Sequence, residues 1–232
     1  GARPPMPGTL KLQGTATADG LREAKELGVL TRLADGATGS TSYSAAIGVR
    51  AGALDLLINS SLQGLAVSLP PPFGKPAESS LPVRLEMGAL RDASGASVPA
   101  RDQLRLDIGK KATAIFQRDL SGAQARVLRG AIGVGLADDE SAPLPDEGVV
   151  ANINLPVLDA DAWSQVLSRM DGDGKPAASS GAAPGVASAS AAASYLPTVL
   201  AVRTRELTVG GRTLHNMVVG GGRDGLVWRA NL

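Results

Sequence analysis

The 232-residue chain contains no cysteine and a single histidine. Lack of cysteine excludes a disulfide framework, a zinc knuckle, an iron–sulfur site and a thiol nucleophile, although it does not identify a compartment. One histidine also removes most metal-ligand and acid–base constellations. Aromatic residues are scarce, with two each of Trp, Tyr and Phe. Neither sign of charge dominates: 23 Lys and Arg stand against 22 Asp and Glu, for a formal charge of +1. That balance excludes a phosphate-tracking surface, so no nucleic-acid partner is expected. A membrane-spanning apolar run is missing too. The longest uncharged stretch, Pro176 to Val202, is mostly Ala, Ser and Gly interrupted by proline, and reads as a linker. Gly1–Pro7 has no charged start followed by an apolar segment, and reads as the start of an excised fragment.

What the chain does contain is 44% apolar residues, 29 Gly and 15 Pro, which supplies a core but argues against long helices. Two-residue alternation recurs, placing alternate side chains on opposite faces of strands. Leu81, Val83, Leu85 and Met87 share one face, with Pro82, Arg84 and Glu86 on the other. The same rhythm runs through Tyr43–Val49, Leu54–Ile58, Leu65–Leu69, Leu104–Ile108 and Ile132–Leu136. Short turn signals at Ala51-Gly52, Gly109-Lys110 and Asp119–Gly122 make most neighbours antiparallel.

Two stretches switch to helical spacing. After Asp19, taken as an N-cap, Leu21, Ala24, Leu27, Leu30 and Ala34 form one stripe, giving a helix near 20–34. After Asp159, Trp163, Val166, Leu167 and Met170 give a second near 160–170. The expected organisation is a tail or strand start over 1–13, a β-rich segment over 14–170, a flexible Ala/Ser/Gly linker over 171–194, and further strands over 195–232 whose last one has no stop signal. The fold class is therefore mainly β: a long curved antiparallel sheet, shaped as a groove, half-barrel or sandwich, with two short amphipathic helices.

Several motifs carry less than their spacing promises. Gly220-Gly221-Gly222-Arg223-Asp224-Gly225 fits G-x-G-x-x-G, but the alternating residues Leu226–Leu232 that follow indicate a hairpin turn rather than a phosphate loop. His215 reads as a strand surface residue, with no nucleophile elbow to serve. Asp138-Asp139-Glu140 lacks the alternating ligand positions of a cation loop and reads as a solvated acidic turn. No catalytic residue, metal or cofactor is expected, and a hydrolase is the weakest of the functional classes.

The unusual segment runs from Ser61 to Pro76: Ser61-Leu62-x-Gly64-Leu65, then Leu69-Pro70-x-Pro72-x-Gly74-Lys75-Pro76, then Leu81-Pro82. Consecutive prolines remove ladder donors and stiffen the exit from a strand, and Phe73 offers an apolar anchor. This run resembles the YhdP-type branch of the AsmA-like bacterial envelope proteins. Pro145-x-x-Gly148, Leu155-Pro156-x-Leu158-Asp159-x-Asp161-Ala162-Trp163 and Leu214-His215-Asn216 through Gly225-Leu226-Val227-Trp228 support the resemblance. It implies a very long protein anchored in the inner membrane by a helix outside this piece, with a β-rich body in the periplasm that carries phospholipid toward the outer membrane and supports the envelope barrier. The implied partners are phospholipid acyl chains and other segments of the same long chain, with membrane contact through regions outside this one.

Residues with the pattern for lining such a groove are Leu65, Val67, Leu69, Leu81, Val83, Leu85, Met87, Leu104, Leu106 and Ile108. The family motif itself comprises Ser61, Leu62, Gly64, Leu69, Pro70, Pro72, Gly74 and Lys75. A sheet with one greasy face must pack, close or bind something greasy, so the competing reading is a self-packed β-sandwich serving as a scaffold or adhesion module.

Overall fold

The computed structural model describes residues 8–23, 34–50, 53–92, 94–122, 124–137, 140–171, 194–224 and 227–231. The strands are β1 Thr9–Thr17, β2 Ala37–Arg50, β3 Ala53–Ser60, β4 Leu65–Val67, β5 Val83–Arg91, β6 Ser97–Ile108, β7 Ala112–Asp119, β8 Arg126–Val134, β9 Gly148–Asp159, β10 Val199–Val209, β11 Arg212–Asp224 and β12 Val227–Asn231. The helices are α1 Ala18–Glu23 and α2 Ala160–Asp171. All strands but one follow each other in a single sheet, β1-β2-β3-β5-β6-β7-β8-β9-β10-β11-β12, while short β4 pairs with the start of β2. Eleven strands at about 4.8 Å spacing give a sheet roughly 48 Å across. The order does not close: β1 and β12 are its two edges.

The sheet is mixed rather than antiparallel throughout. β8–β9 and β9–β10 are parallel pairs. Parallel neighbours need a crossover from one end of the strands to the other. Residues 135–147 provide the first crossover. Of its described residues, Leu136 lies against one face, its Cδ1 2.7 Å from the position a Cβ on Gly133 would take. Leu136, expected to continue a strand, therefore sits beyond the end of β8. The second crossover begins with α2.

Both helices start at side-chain caps. Ala162 N donates to Asp159 Oδ1 at 2.8 Å, as the spacing predicted for α2. At α1 the cap is Thr17, whose Oγ1 accepts from Gly20 N at 3.0 Å, so the helix begins one residue before the expected Asp19 cap. The described part of α1 ends at Glu23, and Ala34 belongs to a 3₁₀ turn over Ala34–Gly36. The remainder of the predicted stripe, residues 24–33, lies outside the described residues, as do most of the predicted linker (172–193), the Ala51-Gly52 turn and Asp138-Asp139. Asp171 ends α2, and Ser194 opens the turn before β10. Gly220–Gly222 lie within β11 rather than in a turn. The connection to β12 is residues 225–226, also outside the described set.

Candidate functional site

Cross-strand partners in a sheet project to the same side, so the register shows which residues share a face. One row reads Leu12, Ala45, Ile58, Leu85, Leu106, Ala114, Ile132, Ala151, Leu200, Gly221, Ala230. It crosses all eleven strands without a polar residue. The row toward one strand end is Leu10, Ile47, Leu56, Met87, Leu104, Phe116, Gly130, Val149. The row toward the other end is Gly14, Tyr43, Ser60, Val83, Ile108, Ala112, Val134, Ile153, Val202, Val219. The opposite face carries charged residues among its polar ones. One of its rows is Gln13, Ser44, Asn59, Arg84, Asp107, Thr113, Gly133, Asn152, Ala201, Gly220. There Arg105 Nε donates to Asp107 Oδ2 at 2.8 Å, and that bond holds the Asp107 carboxyl below its ordinary range. Leu136 lies on this polar side, beside a hollow of about 500 Å³ that it lines together with Glu140, Asn152 and Arg203 among others.

The apolar face is not uniform along its length. In β1–β3 it is open along the β1 edge and at the β2–β3 hairpin end, with Leu10 59% and Val49 58% exposed and Leu12 and Leu54 exposed as well, while Ile47, Leu56 and Ile58 are half-buried and Ala45 is buried. From β7 to β10 the same face is partly covered: Phe116, Val134, Leu155 and Val202 are buried and Val149 and Ala151 are only 1% and 2% exposed, while Ala114, Ile132, Ile153 and Leu200 are half-buried. Between these halves Val83, Leu85, Met87, Leu104, Leu106 and Ile108 are half-buried.

Residues Ser194–Thr198 account for part of that cover. Val127 N donates to Ser194 Oγ at 3.4 Å, Thr198 N to Val149 O at 2.7 Å, and Arg223 N to Thr198 O at 2.7 Å. The ring of Tyr195 meets Phe116 edge-on at a centroid distance of 5.1 Å. Its hydroxyl accepts from Arg118 Nη1 at 3.1 Å. Arg118 also clasps Asp102 with two donors, Nε to Oδ1 at 2.9 Å and Nη2 to Oδ2, and Nη2 lies 2.9 Å from Met87 Sδ. Asp102 and Arg118 are cross-strand partners on the apolar face. The Asp102 bond, opposed by burial, raises the pKa of the Arg118 guanidinium above its ordinary value, and the Tyr195 hydroxyl adds to the shift. Alternation alone gave no sign of this cluster, because Arg118 and Tyr195 are 77 residues apart.

The family-motif residues form a compact excursion between β3 and β5. Its neck is closed by Leu81 N donating to Ser61 O at 2.8 Å. Gly64 has φ +90°, and a Cβ there would stand 2.3 Å from Ser40 O; at Gly74 it would stand 2.2 Å from Leu69 O. Both positions need glycine because the backbone of another segment occupies the space. Lys75 is buried, and its Nζ donates to Leu62 O at 2.8 Å and to Leu65 O. Burial pushes its pKa below the ordinary lysine value, with Glu78 pulling the other way. Pro70 O accepts from Phe73 N at 3.2 Å, Pro72 O from Lys111 Nζ at 2.6 Å, and Pro71 O from Trp163 Nε1 at 3.2 Å. Phe73 and Trp163 meet edge-on at 5.9 Å, so the motif loop holds α2 from one side. From the other side Asp161 accepts from Gly210 N and Gly211 N, each at 2.8 Å, and those two donors lower its carboxyl pKa.

The structure thus brings Val83, Leu85, Met87, Leu104, Leu106 and Ile108 together on one face, and separates Leu65, Val67 and Leu69 from them. Leu65 is buried in a small cluster with Ala18 and Ala37, against which Leu21, Leu62 and Val67 pack. Leu69 lies past the end of β4, in the motif excursion. Period-two spacing puts these three on a common side but cannot say which sheet that side belongs to. Leu81 is buried just before β5, beside Gly109. His215 is exposed on β11.

The family model described as YhdP protein matches residues 7–232. The chain belongs to the YhdP family. No curated protein and no solved structure matches it. As a YhdP-family segment it is a piece of an AsmA-like bacterial envelope protein. Among the described residues no helix is long and apolar enough to cross a membrane, and no group of three or more His, Asp or Glu could hold a metal ion.

Proposed function

We propose that this YhdP-family segment is a non-catalytic part of a periplasmic conduit that holds phospholipid acyl chains against its apolar face and passes them toward the outer membrane. The observation that carries the reading is the row from Leu12 to Leu200: nine strands contribute apolar side chains to one row without a polar residue, while the row beside it on the other face holds Arg84 and Asp107. Soluble domains rarely leave more than a few hundred Å² of contiguous apolar surface uncovered unless something greasy binds there. The described strands form one sheet with two free edges rather than the two facing sheets of a sandwich, so the open half finds no second layer of its own among the described residues. Acyl chains suit such a face because they need no hydrogen-bonding partners. The contrast between apolar stripe and polar back also fits a body surrounded by water and tethered through another part of the chain.

Solvent extraction of the purified segment, followed by phosphorus and mass analysis of the extract, tests the reading. Recovered phospholipid in amounts comparable to protein supports it. An extract free of phospholipid, from protein made in a bacterial envelope, contradicts it.

A further inference from the structure

Strand β10 separates two sides of different character. Val202 and Thr204 are buried on the apolar side, whereas Arg203 and Arg205, which project the other way, are exposed. On that second side two hollows of about 500 and about 540 Å³ adjoin, sharing Asn154, Arg203 and Val218, which the register sets in one row. Leu136 and Glu140 of the β8–β9 crossover bank the first hollow, and Arg205 and Asn216 line the second. The two make one trench along β10. Over Val150–Leu158 of β9, Val199–Val209 of β10 and Arg212–Val218 of β11, alternation directs Arg203, Arg205 and Arg212 to this side and no acid. Glu140, whose carboxylate accepts from Ala137 N at 3.4 Å, stands only at the crossover bank. Aliphatic side chains flank the arginines: Val218 is 62%, Val199 48% and Leu214 39% exposed. Exposed arginine set among aliphatic groups in a concave surface is the composition of a protein interface.

We propose that this trench docks an extended acidic segment of a partner protein. It lies on the side opposite the apolar stripe, so the proposal stands or falls independently of the lipid reading. Arg203 and Arg205 are two residues apart on one strand, a separation of about 6.8 Å, which is also the spacing of alternate side chains in an extended chain. Acidic residues at i and i+2 of such a segment therefore meet one guanidinium each, and a guanidinium can hold a carboxylate through two parallel hydrogen bonds. Asn154 and Asn216 supply amide donors and acceptors for the segment's backbone groups. Along β10 the positions on this side run Val199, Ala201, Arg203, Arg205, Leu207. The matching segment carries two aliphatic residues, two acids and one aliphatic residue at alternate positions. A bilayer surface fits less well, because it is flat and would meet the banks of the trench before its floor.

The test titrates the intact segment into a fluorescein-labelled peptide, acetyl-Val-Thr-Val-Thr-Glu-Thr-Glu-Thr-Val-amide, and follows anisotropy. Binding is expected, and it should weaken as NaCl is raised from about 50 to about 500 mM. The double variant Arg203→Gln, Arg205→Gln should keep the circular dichroism spectrum of the unaltered protein, since both side chains are exposed, and bind at least about tenfold more weakly. Should the double variant lose its fold, the two single variants carry the comparison, each expected to bind severalfold more weakly. Arg84→Gln, on the same face but at β5, should bind as the unaltered protein does. A peptide with Lys in place of both Glu should not bind. No binding of the Glu peptide, equal binding of the Lys peptide, or a folded variant lacking both arginines that binds as tightly as the unaltered protein overturns the proposal. So does displacement of the peptide by phosphatidylglycerol vesicles whose own binding needs Arg203 and Arg205, since the occupant would then be a membrane surface.

Discussion

The first strands and the middle strands of this sheet share an alternation pattern, a face and a row of partners, yet they meet different fates. Leu10, Leu12, Val49 and Leu54 stand exposed, while Phe116, Val149, Ala151 and Val202, on the same face further along, are buried. Composition does not separate them, since both stretches are aliphatic. What differs is the company. Tyr195 and its neighbours cross over β7–β9 and are fixed by backbone bonds and by Arg118, whereas among the described residues β1–β3 receive α1 and the small cluster of Ala18, Ala37 and Leu65 near one strand end. Amphipathic alternation thus determines which side chains share a face. Whether that face becomes core or surface is decided by remote segments.

The largest expected effect sets the two halves directly against each other. Val149→Asp places a carboxylate where nothing can solvate it, which should cost more than about 4 kcal/mol out of the ~5–15 kcal/mol available to a domain. Leu54→Asp, on the open half, should change stability by less than about 1 kcal/mol. Thermal melts of the two variants check this, and equal losses would erase the distinction between the halves.

A second comparison concerns ion pairs. Arg118→Ala leaves Asp102 buried without its counter-ion, with an expected cost of roughly 3–5 kcal/mol. Arg84→Ala, which breaks the exposed pair with Glu86 on the polar face, should cost no more than about 1 kcal/mol. Urea denaturation separates the two. A small loss at Arg118 would mean that Tyr195 is held by its ring alone.

In the motif excursion, Gly64→Ala and Gly74→Ala should each cost about 1–3 kcal/mol, because the new Cβ meets a backbone oxygen and, at Gly64, the φ of +90° is unfavourable for any side chain. If either variant melts with the unaltered protein, the loop is not as tightly closed as its contacts indicate.

The smallest effect is a pH dependence at α2. The folded Asp161 carboxyl titrates below its unfolded value because Gly210 N and Gly211 N favour the ionised form. Its contribution is therefore complete above the unfolded pKa of about 3.9 and fades as pH falls through the folded value. Asp161→Asn should remove that acid-limb dependence. Trp163 fluorescence during an acid titration reads it, and an unchanged profile in the variant would assign the acid limb to other carboxylates.

Much of the sheet was legible because strands advertise themselves locally. The face shared by Val83, Leu85, Met87, Leu104, Leu106 and Ile108 follows from alternation and short turns, and the α2 cap at Asp159 follows from its position before the helical stripe. The illegible parts are those decided at a distance. Nothing in Leu65-Ala66-Val67 says that Leu65 packs on Ala18 and Ala37 rather than joining the long apolar rows. The parallel pairing of β9 with β8 and β10 depends on where two crossovers deliver the chain. Asp102, Arg118 and Tyr195 lie on three separate segments, and only the folded register places them together. Lys75 is the partial exception: the motif that carries the family resemblance includes it, although the sequence did not show that its ammonium would be buried against Leu62 O and Leu65 O.

The most direct test of the proposed lipid-holding face is Leu85→Asp, in the row that crosses all eleven strands of the long sheet. Leu85 is half-buried and its cross-strand neighbours Ile58 and Leu106 are apolar, so a carboxylate there can stay hydrated only if the face is open. A melting curve and native mass spectrometry of the same preparation give stability and lipid count together. The account predicts phospholipid on the unaltered protein and a variant that still folds and carries none. A folded variant that retains the full amount of lipid would contradict it.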